Sequence, residues 1–284
     1  MNVDRTLLAS LLRENPFQPA TSFWRAIELS AVLRHGLPNG RGLDLGCGDG
    51  KLMRTLLGAA RASPELVGVD IDPHEARDAA ETGSYVRVRV APGDRIPEPD
   101  ASFDFVFSNS VLEHIDDLEP VITEVARVLR AGGTFLFTVP SAGFHDCLGG
   151  PLLPWVGRSA YAAQIDRRCA HIRYWSKPDW EGCMQRHGLG LTHASEYLTA
   201  PEVRRWETLA RFTSGLLYPL FRSRLRPIEI QRRLGLRRSG MRLPPYLAAV
   251  LARIISFGGQ PDASGGFGCL LVEARKPGGG DVAA

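Results

Sequence analysis

The chain has 284 residues, 44% of them hydrophobic and 23% charged, which are ordinary globular proportions and exclude disorder over its whole length. No apolar run reaches the roughly 18 residues of a bilayer span, and the first residues, Met1-Asn2-Val3-Asp4-Arg5, lack the features of a signal peptide. The net charge of +3 conceals an asymmetry: residues 201–260 hold 12 arginines against Glu202, Glu207 and Glu229, and an acidic body with one basic stretch excludes a general nucleic-acid binder.

Residues 5–14 predict a short helix with Leu7, Leu8, Leu11 and Leu12 on one face, broken by Asn15-Pro16. A second helix over 22–34 sets Phe23, Ile27 and Ala31 at helical spacing, and Gly36 and Pro38 end it. From Gly42 onward strand and helix alternate. Residues 43–45 are a short strand entering a glycine turn, 51–57 a helix and 66–70 the second strand. Asp72-Pro73-His74-Glu75 opens the next helix, with Asp72 as N-cap, Pro73 in the first turn and Glu75 placed to complete a capping box. Residues 85–90 and 103–107 are the third and fourth strands. A helix over 117–130 carries Leu118, Val121, Ile122, Val125 and Leu129 on one face, and 134–139 is the fifth strand. Short, nearly continuous apolar runs belong to parallel strands buried on both faces, so the expected fold is α/β, a doubly wound Rossmann-like sheet.

After Pro140 the rhythm breaks. Residues 141–176, rich in glycine, proline and aromatics, predict a lid or substrate loop. A helix over 177–187 and a strand over 189–197 come next, and 268–275 is the last strand. The basic stretch falls between these two strands as a helical insertion, and the tail from Pro277 is expected to be disordered.

The five cysteines, Cys47, Cys147, Cys169, Cys183 and Cys269, form no C-x-x-C pair and leave one over from any full pairing. No metal site and no disulfide framework are expected, and a reducing cytoplasm is. Only Lys51, Lys177 and Lys276 stand among 34 basic residues, a usage typical of GC-rich bacterial genomes.

The most informative stretch is Leu43-Asp44-Leu45-Gly46-Cys47-Gly48-Asp49-Gly50. Glycine permits a tight strand-to-helix turn and close backbone approach to a ligand. A dinucleotide fingerprint would place its third glycine at position 51, where Lys51 stands, and no Gly-Lys-Ser/Thr phosphate loop is present because Leu52 comes after Lys51. The spacing is instead G-x-G-x-G.

This turn and the chain on either side of it resemble the class I S-adenosylmethionine (SAM)-dependent methyltransferases over about residues 41–140. "LDLGCGDG" is similar to the family's first motif and "VGVDIDP" to its second. "PGDRIPEPDASFDFVFSNSVLEHIDD" and "EVARVLRAGGTFLFTVP" are similar to the later ones, in order and at the right spacing. The resemblance implies a seven-stranded sheet with its last strand antiparallel, and SAM as cofactor. It implies that Asp44, Gly46, Cys47 and Gly48 line the methionine end, Cys47 as a small filler of the turn. Asp70 is then placed for the ribose hydroxyls, Ile71 for the adenine face, Asp94 for the adenine amino group and the Arg95 N–H for the ring. Asn109 falls at the switch region of the sheet.

Methyl transfer from a sulfonium is an in-line displacement that needs alignment and exclusion of water, with a base where the acceptor is a weakly acidic hydroxyl or a charged amine. The candidate bases are His114 in "LEHI", His145 beside Asp146, and His171 in "HIRYWS". The last resembles a recurrent family element that lines an acceptor pocket, here with Arg173 and Tyr174. The N-terminal "NPFQPATSFWRAIEL" is similar to bacterial methyltransferases of sugar and lipid modification. That resemblance implies that Phe17, Phe23, Trp24 and Arg25 cover the cofactor cleft; the alternative is a helix packed on the sheet edge.

The expected organisation is an N-terminal helical cover over 1–40, a SAM-binding core over 41–140, and a substrate loop and end of the sheet over 141–200. A basic helical insertion over 201–266, the last strand over 267–276 and a tail over 277–284 complete it. The expected function is methyl transfer to a small-molecule or lipid-linked sugar acceptor. A quinone-biosynthesis methyltransferase and a catalytically idle SAM-fold scaffold are the alternatives. Arginines interleaved with Trp206, Phe212, Tyr218 and Phe221, and the apolar run 246–255, have the composition of interfacial helices, so peripheral contact with an anionic membrane is expected. The other reading of this stretch is a structural cap.

Overall fold

The computed structural model describes residues 3–213, 242–257 and 265–278. Most of the basic stretch and nearly all of the tail lie outside the described residues. No helix among the described residues is long and apolar enough to cross a membrane.

The described residues form two compact units. One spans Val32–Ala142, Arg173–Glu196 and the chain from Cys269, and it holds the sheet. Its strands are β1 (Arg41–Leu45), β2 (Glu65–Asp70), β3 (Arg87–Val90), β4 (Phe103–Asn109), β5 (Leu129–Pro140), β6 (Gly190–Thr199) and β7 (Phe267–Arg275). Their order is β3-β2-β1-β4-β5-β7-β6, parallel from β3 to β5, with β7 antiparallel to β5. This is the doubly wound sheet expected, with its last strand reversed.

Helices α3 (Lys51–Ala60), α4 (Pro73–Glu81), α5 (Glu119–Val128) and α8 (Lys177–Arg186) belong to the same unit, with a 3-10 turn at Leu112–His114. Asp72 caps α4 by accepting from the N–H groups of His74 and Glu75, at 2.8 and 3.4 Å. Helix α5 buries Val121, Ile122, Val125 and Val128 against the sheet, each contributing roughly 1.5–3 kcal/mol by leaving water. On α8, Trp180 is 1% exposed and packs its ring 4.9 Å from that of Phe137 on β5.

The other unit spans Met1–Ala31, Gly143–Ile172 and Tyr197–Gly268. It holds α1 (Arg5–Glu14) and most of α2 (Pro19–His35). It also holds α6 (Phe144–Cys147), α7 (Arg158–Cys169), α9 (Ala200–Phe212) and α10 (Pro245–Ile255). Leu7, Leu8, Leu11 and Leu12 are all buried, as the spacing predicts. Phe23 and Trp24 are buried too: Trp24 lies 5.6 Å from the Phe144 ring and 5.1 Å from that of Trp206, at the centre of an aromatic cluster. Glu28, wholly buried on the next turn, accepts from Arg25 at 2.5 Å and from the Tyr197 hydroxyl at 2.9 Å.

Three local expectations change. Helix α2 begins three residues before position 22, because Pro19 supplies a preformed first turn. Strand β3 begins at Arg87, which frees Tyr85 for a different role. Residues 141–176 are not one open loop but contain α6 and the 12-residue α7. Helix α7 buries only Tyr161 and Ile165, too few apolar positions to show a helical period in the sequence.

Candidate functional site

Strand β1 lies between β2 and β4, and the chain runs outward to β3 on one side and to β5 on the other. Such a reversal opens a crevice beyond the carboxyl ends of the two central strands. The glycine turn leaves β1 at this point. Gly46 has φ +76, its N–H donates to the Val69 carbonyl at 2.8 Å, and a Cβ there would meet Val111 Cγ2 at 2.4 Å. Only glycine fits this approach without strain. At Gly48, with φ +53, a Cβ would meet nothing nearer than Glu75 Oε2 at 3.9 Å, so this side of the turn is open to a ligand.

Asp70, at the end of β2, ties the turn together. Its Oδ2 accepts from the Gly48 N–H and its Oδ1 from the Asp72 N–H, both at 2.8 Å. A carboxylate offers about four acceptor positions, so two further donors can be met. Next along the chain is Ile71, with its side chain 71% exposed. Asp44, 4% exposed, accepts from the Tyr85 hydroxyl at 2.6 Å. Burial pushes its carboxyl up to about 7; the Tyr85 hydrogen bond opposes that rise and the Asp70 charge adds to it. Burial, and then the Asp44 and Asp70 charges, hold the Cys47 thiol protonated, so it fills space and is no nucleophile.

The loop after β3 is pinned from below. Arg87 forks onto Glu98 at 2.9 and 2.5 Å, Arg127 donates to the Glu98 and Ile96 carbonyls at 2.9 Å, and Glu124 accepts from the Ile96 N–H at 2.8 Å. These contacts present Asp94 and Arg95 on a fixed, exposed turn. The Arg95 N–H closes that turn onto the Pro92 carbonyl at 3.2 Å, so the turn uses the donor that the resemblance reserves for a ring. Asn109 ends β4, 8% exposed and in register with Thr138, whose carbonyl accepts from the Ser110 N–H at 3.0 Å.

The three histidines differ. His114 is exposed on the 3-10 turn, 4.0 Å from buried Glu113. Arg173 holds that turn by donating to the carbonyls of Leu112 and Ile115 at 2.8 Å and of Asp116 at 3.1 Å. Its guanidinium is thus spent on the backbone and not on the acceptor pocket that the local sequence pattern suggests. His145 and His171 belong to the other unit. The ring of His145 meets Asp166 through Nε2 at 2.8 Å. The ring of His171 lies 6.5 Å from Trp24 and 6.1 Å from Phe144, among the aromatics.

Two residues of interest have no readable signal. Tyr85 sits 41 positions from Asp44, and Asp166 sits 21 from His145, so no spacing rule pairs them. Among the described residues, Glu119, Cys183 and His187 also bring one ligand atom each within 4.8 Å. There His187 is bonded to Glu119 at 2.5 Å and to Thr123 at 3.1 Å, and Arg186 reaches Glu119 at 2.6 Å, a lock between α5 and α8.

Residues 43–137 match the family described as "Methyltransferase domain". A Mycolicibacterium smegmatis protein described as a probable S-adenosylmethionine-dependent methyltransferase is 36% identical over 126 residues, 43% of this chain and 47% of its own length. A Schizosaccharomyces pombe protein described as an uncharacterized methyltransferase is 30% identical over 178 residues, 58% of this chain and 66% of its own. This chain therefore spans about half of the first relative's length and just under two thirds of the second's. In fold, the [4+2]-cyclase SpnF superposes with a TM-score of 0.55 at 18% identity, covering 89% of this chain and 82% of that one.

Proposed function

We propose that this chain, whose residues 43–137 match the methyltransferase-domain family, is a class I SAM-dependent methyltransferase that moves the methyl group of SAM to a small-molecule or lipid-linked sugar acceptor. Bound SAM supplies a methyl carbon made electrophilic by the neighbouring sulfonium charge. The observation that carries the reading is the Asp70 carboxylate, which fixes Gly48 and Asp72 while keeping acceptor capacity for two ribose hydroxyls. Gly46 and Gly48 let the backbone approach the methionine end, and Asp44 stands beneath them to meet its ammonium group. Cys47 fills the turn, Ile71 offers an apolar surface to the adenine, and Asp94 an acceptor to its amino group. Asn109 borders the crevice.

His145 is the favoured base, because Asp166 holds its imidazole. The contact runs through Nε2 at 2.8 Å and orients the ring. With SAM bound, the acceptor oxygen or nitrogen would take the methyl group while the carbon–sulfur electron pair stayed with sulfur, and the proton released by the acceptor is what a histidine base would take up. A lipid-linked acceptor sets this work at the cytoplasmic face of a membrane.

The first test is calorimetric. SAM and its demethylated product should bind at micromolar scale, an order-of-magnitude expectation, and NADH should not; tighter binding of NADH overturns the reading. A pH series tests Asp44, whose carboxyl titrates at about 7. Protonation below that value removes the charge that meets the ammonium, so SAM affinity should fall up to about tenfold per pH unit there. Above roughly pH 8 the ligand's own amine deprotonates and affinity should fall again. Asp44→Asn should flatten the acid limb; an unchanged acid limb in that variant assigns the titration to another group.

A further inference from the structure

Helix α10 has two faces of different kinds. Ala248, Ala252 and Ile255 are buried, and the helix packs along α1. Both ends are fastened there. The Leu243 N–H donates to the Arg13 carbonyl at 3.1 Å, Arg242 meets Glu14 at 3.2 Å, and Arg5 donates to the Ser256 hydroxyl at 3.0 Å. The opposite face is apolar and bare. Tyr246, Leu247, Val250, Leu251, Ile254 and Phe257 are 67, 40, 52, 37, 61 and 75% exposed. They recur at the spacing of one helical stripe. Helix α10 contains no acidic residue, and its one charge is Arg253.

A helix of 11 residues cannot span a bilayer. It does have the form of one that lies in the interface, with an apolar stripe toward the acyl chains and basic residues at headgroup level. We infer that the outer face of α10 docks on an anionic phospholipid bilayer. Charge complementarity selects that occupant. Among the described residues of 201–260 are five arginines, Arg204, Arg205, Arg211, Arg242 and Arg253, and two glutamates, Glu202 and Glu207, both of them buried. Arg5 and Arg13 add exposed positive charge on α1. Each basic residue close to an anionic surface adds to the attraction, and salt screens it. The same unit also exposes Trp155 at 77% and Leu152 at 74% on the segment before α7, and tryptophan is the side chain enriched at membrane interfaces. The inference extends the lipid-linked acceptor reading, and its test separates the two.

Purified protein is sedimented with vesicles of phosphatidylcholine alone and with vesicles containing about one-third phosphatidylglycerol. The protein should pellet with the anionic vesicles only, and less as salt rises. The paired variant Val250→Glu with Ile254→Glu alters only the exposed stripe and should lower pelleting by about tenfold or more. Its melting temperature should stay at the wild-type value, and SAM affinity by calorimetry reports separately on the methyltransferase reading. Wild-type protein left in the supernatant with anionic vesicles at low salt overturns the inference, as does a folded paired variant that pellets like wild type. A concentration-dependent dimer that the paired variant breaks, without vesicle binding, also overturns it and assigns the stripe to a second copy of the chain.

Discussion

Asp70→Ala is expected to weaken SAM binding by about 100-fold, roughly 3 kcal/mol, read by calorimetry. The carboxylate serves two sets of donors. It accepts from the N–H groups of Gly48 and Asp72, each at 2.8 Å, and hydrogen bonds to a charged group contribute about 1.5–3 kcal/mol apiece. It also offers its remaining acceptor positions to the ligand. Removing it leaves two backbone N–H groups to find water and releases the glycine turn from the start of α4. Asp70→Asn keeps one acceptor oxygen but turns an NH2 group toward the second N–H, so it should recover only part of the affinity. Asp72→Ala gives the contrast: it removes the α4 cap, at a cost of about 0.5–2 kcal/mol in stability, and should leave affinity within a few-fold of wild type. An Asp70→Ala protein that binds SAM within threefold of wild type shows that the ligand is held elsewhere.

The middle of the sheet is readable in the sequence because β2, β4, β5 and β7 carry short apolar runs, whereas β3 (Arg87-Val88-Arg89-Val90) and β6 are more polar and exposed. Burial on both faces leaves an apolar strand little freedom in composition, as Phe103 to Phe107 illustrate, with Phe103, Phe105, Val106 and Phe107 all buried. The turn at 46–50 is readable for a different reason. Positive φ at Gly46, Gly48 and Gly50 demands glycine, so a conformation is written into the residue type. Contacts between side chains distant in sequence have no such imprint. Tyr85 has the character of a strand residue, aromatic and next to Val86, yet its hydroxyl serves Asp44. Arg173 has the character of a pocket residue because it neighbours His171, yet three carbonyls hold it. Helix α7 is hidden by polarity: ten of its 12 residues are not buried, so neither period nor composition betrays it. The apolar run 246–255 is legible as an interfacial helix, but only the packing on α1 shows which side its exposed stripe occupies.

The second large effect concerns the base. His145→Ala should lower turnover by about 100-fold or more while leaving SAM affinity intact, because a positioned proton acceptor contributes about 10²–10⁴ to such a step. The comparison among histidines is physical. His145 has a carboxylate partner at 2.8 Å, which fixes the orientation of the ring. The ring of His171 lies against those of Trp24 and Phe144, which orient the imidazole by ring contact. His114 lies 4.0 Å from Glu113, beyond hydrogen-bond distance. Turnover of labelled SAM with a lipid extract as acceptor source should therefore fall most in His145→Ala and least in His114→Gln. Asp166→Asn should lower turnover too. The double variant of His145 and Asp166 should be little worse than His145→Ala alone, since the carboxylate acts through the ring. Wild-type turnover in His145→Ala between pH 6 and about pH 9 would remove the base from this residue. In that event a loss confined to His171→Gln would move the role to the aromatic cluster. Losses in neither variant would mean an acceptor acidic enough to need no base at all.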